Sequence, residues 1–190
     1  AINPHAAARA LGPAGMLVVV VVDAAQCRDV LWGTDGAAHA LQPGQTVMLC
    51  PTIAPEDTAS MAERLSEEGV HTIDAPMSGG PARARDGTMS LMLAAPDAVV
   101  ARHAALLADL SGRLFRVGER VGDGARTKLV NNLLAGIQLA GAAEVMALAE
   151  RMGLNLATTL DVIEHSSGQS WIGSDRMHRQ IAGDQAPRAR

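Results

Sequence analysis

The stretch Met16-Leu17-Val18-Val19-Val20-Val21-Val22, closed by Asp23, carries five consecutive valines and no polar side chain. β-Branching and a length of about seven residues predict a strand covered on both faces, as in a parallel sheet. Working outward, Ala24 to Leu31 can form a short helix, Gln42-Pro43-Gly44 a turn, and Thr46 to Cys50 a second strand. Pro55-Glu56-Asp57 opens a further helix, with proline and two acids in a first turn that favours both. Met61 and Leu65 stand at i,i+4 on one face of it, Gly69 stops it, and His71 to Asp74 gives a third strand. Strand, helix, strand, helix, strand is the order of a doubly wound α/β sheet.

Beyond Asp74 the texture changes. Ser78-Gly79-Gly80-Pro81 reads as a loop, Thr88 to Leu93 alternates like a strand, Pro96 to Leu110 is helical, and Arg113 to Val117 is a last short strand. From Ala125 onward no strand pattern remains. Ala125 to Met152 reads as one long helix closed by Gly153, a favoured residue just past a helix end. Asn155 can cap the next helix, Trp171 to Ile181 can form another, and Gln185 to Arg190 looks irregular. A break near Gly118 to Gly124 therefore divides a partial α/β nucleotide-binding domain, residues 1–120, from the start of a helical domain, residues 121–190.

Composition narrows the function classes. The 190 residues hold 16 Lys+Arg against 20 Asp+Glu, so the dense basic footprint of a nucleic-acid binder is missing. Two cysteines, Cys27 and Cys50, match neither a disulfide framework nor a metal-ligand spacing, which points to a reducing, cytoplasmic setting. With aromatics at 2% and no tyrosine, the core must be built from small aliphatic side chains. No signal-like segment stands at the start. The most apolar stretch, Leu129 to Ala149, carries Asn131, Asn132, Gln138 and Glu144, so it reads as a helix buried inside a soluble protein and not as a membrane span.

Three features can carry chemistry. Asp74-Ala75-Pro76-Met77-Ser78-Gly79-Gly80-Pro81 follows a strand directly. It is either an ordinary Ser-Gly-Gly turn or a segment whose hydroxyl and amides hold a carboxylate or phosphate oxygen. Gly122-Asp123-Gly124 precedes Lys128, with Asn131 and Asn132 at i+3 and i+4 from it. A lysine in the first turn of a helix is disfavoured by the positive end of the dipole, so its pKa should fall towards proton-exchange range. The other reading is a solvated lysine beside two surface amides. Cys50-Pro51-Thr52, with Val22 and Asp23, ends two strands where a sheet-bound ligand would lie, or simply terminates them. His39, His71, His103, His165 and His178 show neither ligand spacing nor a nucleophile partner, and no metal site is expected. Gly122-x-Gly124 is no dinucleotide fingerprint, since Thr127 stands where the third glycine belongs.

Asp74 to Gly80, then Gly87-Thr88-Met89, then Gly122-Asp123-Gly124 with Lys128 and Asn131-Asn132, resemble the β-hydroxyacid dehydrogenase family in order and spacing. The later run Glu164-His165-Ser166-Ser167-Gly168-Gln169-Ser170-Trp171 is most similar to its L-threonate dehydrogenase branch. The resemblance covers nearly the whole chain. It implies hydride transfer between NAD or NADP and a small hydroxy acid, with Lys128 as acid/base and Asn131 and Asn132 positioning it and the substrate. It also implies that Ser78, Gly79 and Gly80 hold the substrate carboxylate, while Thr52, Val22 and Asp23 line the nicotinamide side of the cofactor site. A homo-oligomer formed through the helical domain is expected. The family's Gly-x-Gly-x-x-Gly and its last helices have no counterpart in these residues, and Pro51 stands where the family usually has serine. The chain thus resembles the middle of such an enzyme. The alternative from another class is an inactive remnant that serves only as an association module.

Overall fold

A computed structural model describes residues 3–183, so the irregular end expected for Gln185 to Arg190 lies outside the described residues. The chain forms two compact units, residues 1–129 and residues 130–190. The change of sequence texture at Gly118 to Gly124 thus precedes the boundary in compactness, which falls inside the long helix.

The first unit begins with α1 (Pro4–Arg9), then β1 (Met16–Val19), α2 (Ala24–Trp32), β2 (Thr46–Leu49), α3 (Pro55–Glu67) and β3 (His71–Asp74). The three strands are parallel neighbours, with Val19 opposite Leu49 and Leu49 opposite Asp74, so their carboxyl ends stand in one row. Next come β4 (Met77–Ser78), α4 (Gly80–Arg85), β5 (Ser90–Ala94), α5 (Asp97–Arg102), α6 (Ala104–Leu110) and β6 (Arg113–Gly118). β5 runs antiparallel to β3 and β4, and β6 runs parallel to β5, so the sheet is mixed. The period of two along β2 builds a core on each face. Val47 and Leu49 join Cys27, Leu31, Met61 and Leu65, while Met48 and Cys50 join Ile73, Leu93, Val99 and Leu107. The expected pair Met61 and Leu65 is therefore core, and the Rossmann-like α/β architecture is the one the alternating pattern predicts.

The second unit holds most of α7 (Asp123–Arg151), with α8 (Leu156–Glu164) and α9 (Trp171–Ile181). Met146, Leu160 and Met177 form its small core. Asn155 caps α8 by accepting a hydrogen bond from the Thr158 amide at 2.9 Å, and Gly153 ends α7 with φ of +72°.

Four expectations are corrected. β1 stops at Val19, and the valine run is covered on one face only: Leu17, Val19 and Val21 pack against the core, while Val18, Val20 and Val22 are exposed. The Ser78–Pro81 loop is instead a strand end followed at once by α4. The helix expected over Pro96 to Leu110 breaks at His103, whose buried ring exchanges a 2.9 Å hydrogen bond with Thr46 Oγ1 on β2. Finally, α7 is not a buried helix: Val130, Leu133, Leu134 and Ile137 are all more than half exposed. By length and composition alone α7 could cross a membrane, because apolar residues surround it on every side and only one face meets α8 and α9.

Burial lowers the pKa of His103, with Arg102 and His71 adding to the effect, so the native ring resists protonation. A group depressed in this way binds fewer protons in the folded state than in the unfolded state, and stability falls as pH drops below about 6.5, the unfolded value. The urea midpoint of the wild-type chain should therefore fall between pH 7 and pH 5. His103→Leu should flatten that dependence, as measured by circular dichroism at both pH values.

Candidate active site

The row of strand ends in the first unit gathers most of the residues singled out by sequence. Val22 and Asp23 follow β1, Thr52 follows β2, and Ser78 to Gly80 follow β3 on the same edge, where open α/β sheets bind ligands. Asp23 is already engaged: its side chain accepts from the Gln26 amide at 2.8 Å and caps α2. The Val22 amide donates to Gln26 Oε1 at 3.1 Å, so the Val22–Asp23 turn is held in place and offers a ligand its surface. Thr52 is exposed.

Ser78 pairs with Ser90 across β4 and β5, which fixes its backbone. Gly79 has φ of +140°, and a Cβ there would lie 2.7 Å from Arg83 Cβ. Gly80, at φ of +67°, has open space where a side chain would stand. The two glycines let the chain reverse into α4 with its backbone bare on the outside.

The most constrained feature is one that sequence spacing does not reveal. Asp74, only 2% exposed, accepts hydrogen bonds at Oδ2 from the Gly122 amide at 2.8 Å and the Ala125 amide at 3.1 Å. Burial raises its pKa, and the amides of Ala125, Gly122 and Gly124 oppose that rise. These amides open α7, where they would otherwise lack partners. Gly122 takes φ of +101°, and a Cβ on Gly124 would meet the Met92 carbonyl at 2.6 Å and Asp74 Cγ at 2.9 Å. Beside them, Asp123 pairs with Arg120 at 2.9 Å and Arg126 at 2.8 Å, which holds its carboxyl below the usual range. Cys50 is inert as a nucleophile, since burial and the nearby Asp74 push its thiol up to about 12.

α7 begins two residues earlier than expected, so Lys128 sits in its second turn rather than its first. The side chain is 7% exposed and is the only lysine in the 190 residues. Its pKa is lowered, as anticipated, and the cause is burial. Asn131 and Asn132 belong to the second unit, where both are exposed and Asn131 Nδ2 donates to Asn132 Oδ1 at 3.4 Å. No group of three or more His, Cys, Asp or Glu residues able to hold a metal occurs among the described residues.

A Rossmann-like sheet, with a glycine-rich segment at its carboxyl edge and a buried lysine in the helix that follows, has the architecture of a dinucleotide-binding domain. The profile of the NAD-binding domain of 6-phosphogluconate dehydrogenase matches residues 2–118, and that of the NAD-binding domain of NADP-dependent 3-hydroxyisobutyrate dehydrogenase matches residues 122–189. The chain belongs to the NAD(P)-binding β-hydroxyacid dehydrogenase family. It is 40% identical over 172 residues to L-threonate dehydrogenase of Cupriavidus necator, an alignment covering 90% of this chain and 58% of that enzyme. A 3-hydroxyisobutyrate dehydrogenase of Pseudomonas aeruginosa is 35% identical over 156 residues, covering 82% of this chain and 52% of that one. The crystal structure of a 3-hydroxyisobutyrate dehydrogenase from Salmonella typhimurium superposes with a TM-score of 0.85 at 38% identity, covering 97% of this chain and 64% of that one. The chain thus spans little more than half the length of the curated relatives it matches.

Filling the space at Gly124 should loosen the start of α7. Gly124→Ala is expected to cost about 1–3 kcal/mol, the range for an added methyl in a packed site. Gly136→Ala, with open space around the new Cβ, should be neutral or slightly stabilising, because alanine favours a helix. Urea denaturation of the two variants checks the contrast.

Proposed function

We propose that the chain forms the central part of an NAD- or NADP-dependent dehydrogenase of small hydroxy acids, with a four-carbon polyhydroxy acid such as L-threonate as substrate. The observation that carries this reading is the burial of the single lysine in the helix whose first turn is seated on β3, the strand that leads into the Ser78–Gly80 segment. The identity to L-threonate dehydrogenases supports the choice of substrate.

Val22, Asp23 and Thr52 suit the nicotinamide end of the cofactor, because they leave adjacent parallel strands at the ligand-binding edge and Thr52 is exposed. The bound cofactor supplies the hydride acceptor for oxidation and the hydride donor for reduction. The hydroxyl proton must leave as the carbon is oxidised and return when it is reduced. Lys128 can take and give it, because burial keeps its amine closer to neutrality than a solvated lysine. The Ser78 hydroxyl and the bare backbone of Gly79 and Gly80 hold the substrate carboxylate, and the amides of Asn131 and Asn132 orient substrate and lysine. In this reading residues 1–120 are the cofactor-binding part and residues 121–190 begin the helical part. The exposed apolar side chains of α7 in the second unit, Val130, Leu133, Leu134 and Ile137, support a homo-oligomer formed through that helix. The two free buried thiols, Cys27 and Cys50, suit a cytoplasmic setting.

Lys128→Ala should lower kcat by about 10² or more while leaving cofactor affinity nearly unchanged. Ser78→Ala should act mainly by raising KM for the hydroxy acid. Steady-state kinetics with L-threonate and 3-hydroxyisobutyrate, on the enzyme containing these residues, separate the two roles. Wild-type kcat in Lys128→Ala would contradict the assignment. The 190 residues alone hold no Gly-x-Gly-x-x-Gly, so calorimetric titration should find NAD(P) binding weaker than micromolar.

A further inference from the structure

Asp74 has no part in the proton transfer just described, yet the site converges on it. Its strand is held on both sides, with Leu49 opposite Asp74 in the parallel register and Ala94 opposite it in the antiparallel one. One oxygen of its carboxylate receives two amides three residues apart, Gly122 and Ala125. Two donors on one acceptor fix the rotation of a helix about its axis as well as its height. Lys128 follows Ala125 by three residues, about 5 Å along the axis at 1.5 Å per residue, so less than one turn separates the pinned amide from the amine-bearing residue. The seat is tight, because only a glycine at position 124 fits between the Met92 carbonyl and the carboxylate. On its other side Asp74 is followed, four to six residues on, by Ser78 to Gly80.

We infer that Asp74 is the positioning residue of this site: by seating the first turn of α7 on the end of β3, its carboxylate sets where Lys128 stands relative to the Ser78–Gly80 segment. This deepens the reading of Lys128 as acid/base and rests on it. Asp74 acts through the backbone, because its carboxylate accepts from the Gly122 and Ala125 amides, while burial is what depresses the pKa of Lys128. Reacting groups must be held within about 1 Å of the productive geometry, which is the tolerance that such a seat controls.

The single lysine makes the test direct. Growth on [6-¹³C]lysine gives one Cε resonance in the full 190-residue chain, and its pH titration reads the environment of Lys128 without any activity. The wild-type midpoint should lie below the ordinary 10.5. In Asp74→Asn the acceptor is weaker, and in Asp74→Glu the charge is kept on a longer arm. Both should raise the midpoint towards 10.5, with far-ultraviolet dichroism unchanged. A purely stabilising role would lower the melting temperature and leave the midpoint where it was, and that result in the folded variants overturns the inference. Should both Asp74 variants fail to fold, Gly124→Ala unseats the helix with the carboxylate intact, and an unchanged midpoint there overturns it equally. If the midpoints shift as expected while Lys128→Ala keeps full kcat, the positioning stands and the acid/base reading falls.

Discussion

A buried carboxylate is costly unless hydrogen bonds replace its water, and the first turn of a helix exposes amides with no partners of their own. Asp74 and the start of α7 resolve both problems with two hydrogen bonds, from Gly122 and Ala125 to one oxygen. The positive end of a 29-residue helix adds a favourable field for the charge. The consequences spread outward from that pair. Gly122 must take a left-handed conformation to bring its amide in, Gly124 can carry no side chain, and Lys128 is drawn into the protein within the next turn. The strand that supplies Asp74 leads, four residues later, into the Ser78–Gly80 segment. One interaction thus ties the helix bearing the lysine to the edge of the sheet.

The parts of this structure that follow from local chemistry are legible in the sequence. Asn155 as a cap, Trp171 to Ile181 as a helix, Pro55 with two acids as a helix start, and Met61 with Leu65 as a buried stripe each depend on residues within one or two turns. The parts that depend on distant neighbours are not. The Asp74 hydrogen bonds span 48 and 51 residues, and no spacing rule connects an acid at a strand end with amides so far away. The valine run promises a strand covered on both faces, but only the face of Leu17, Val19 and Val21 packs against the core, while Val18, Val20 and Val22 on the other face are exposed. The break at His103 arises because its ring turns inward to Thr46, 57 residues earlier, where a helical pattern would have run on.

Lys128 shows how a correct expectation can have a different physical origin. Its lowered pKa was predicted from the helix dipole, but α7 starts early enough to move the lysine into the second turn, where the dipole is weak. Burial does the work instead, and that is the stronger lever for an acid/base group, because it also excludes competing water. The composition of α7 in the second unit suggests burial, yet among the described residues much of its apolar surface is exposed, because the nine- and eleven-residue helices cover only one side of it. Apolar content shows that a surface seeks cover but not which surface provides it.

The central claim is that the buried amine of Lys128 exchanges the proton of the reacting hydroxyl, and the pH dependence of the two reaction directions tests it most directly. Oxidation of the hydroxy acid needs a neutral amine, so its kcat should rise with pH through an ionisation below 10.5. Reduction of the corresponding carbonyl acid needs the ammonium, so its kcat should fall through the same ionisation. Both limbs should vanish in Lys128→Met. Profiles that are flat across that range, or an ionisation that persists in the variant, would contradict the account.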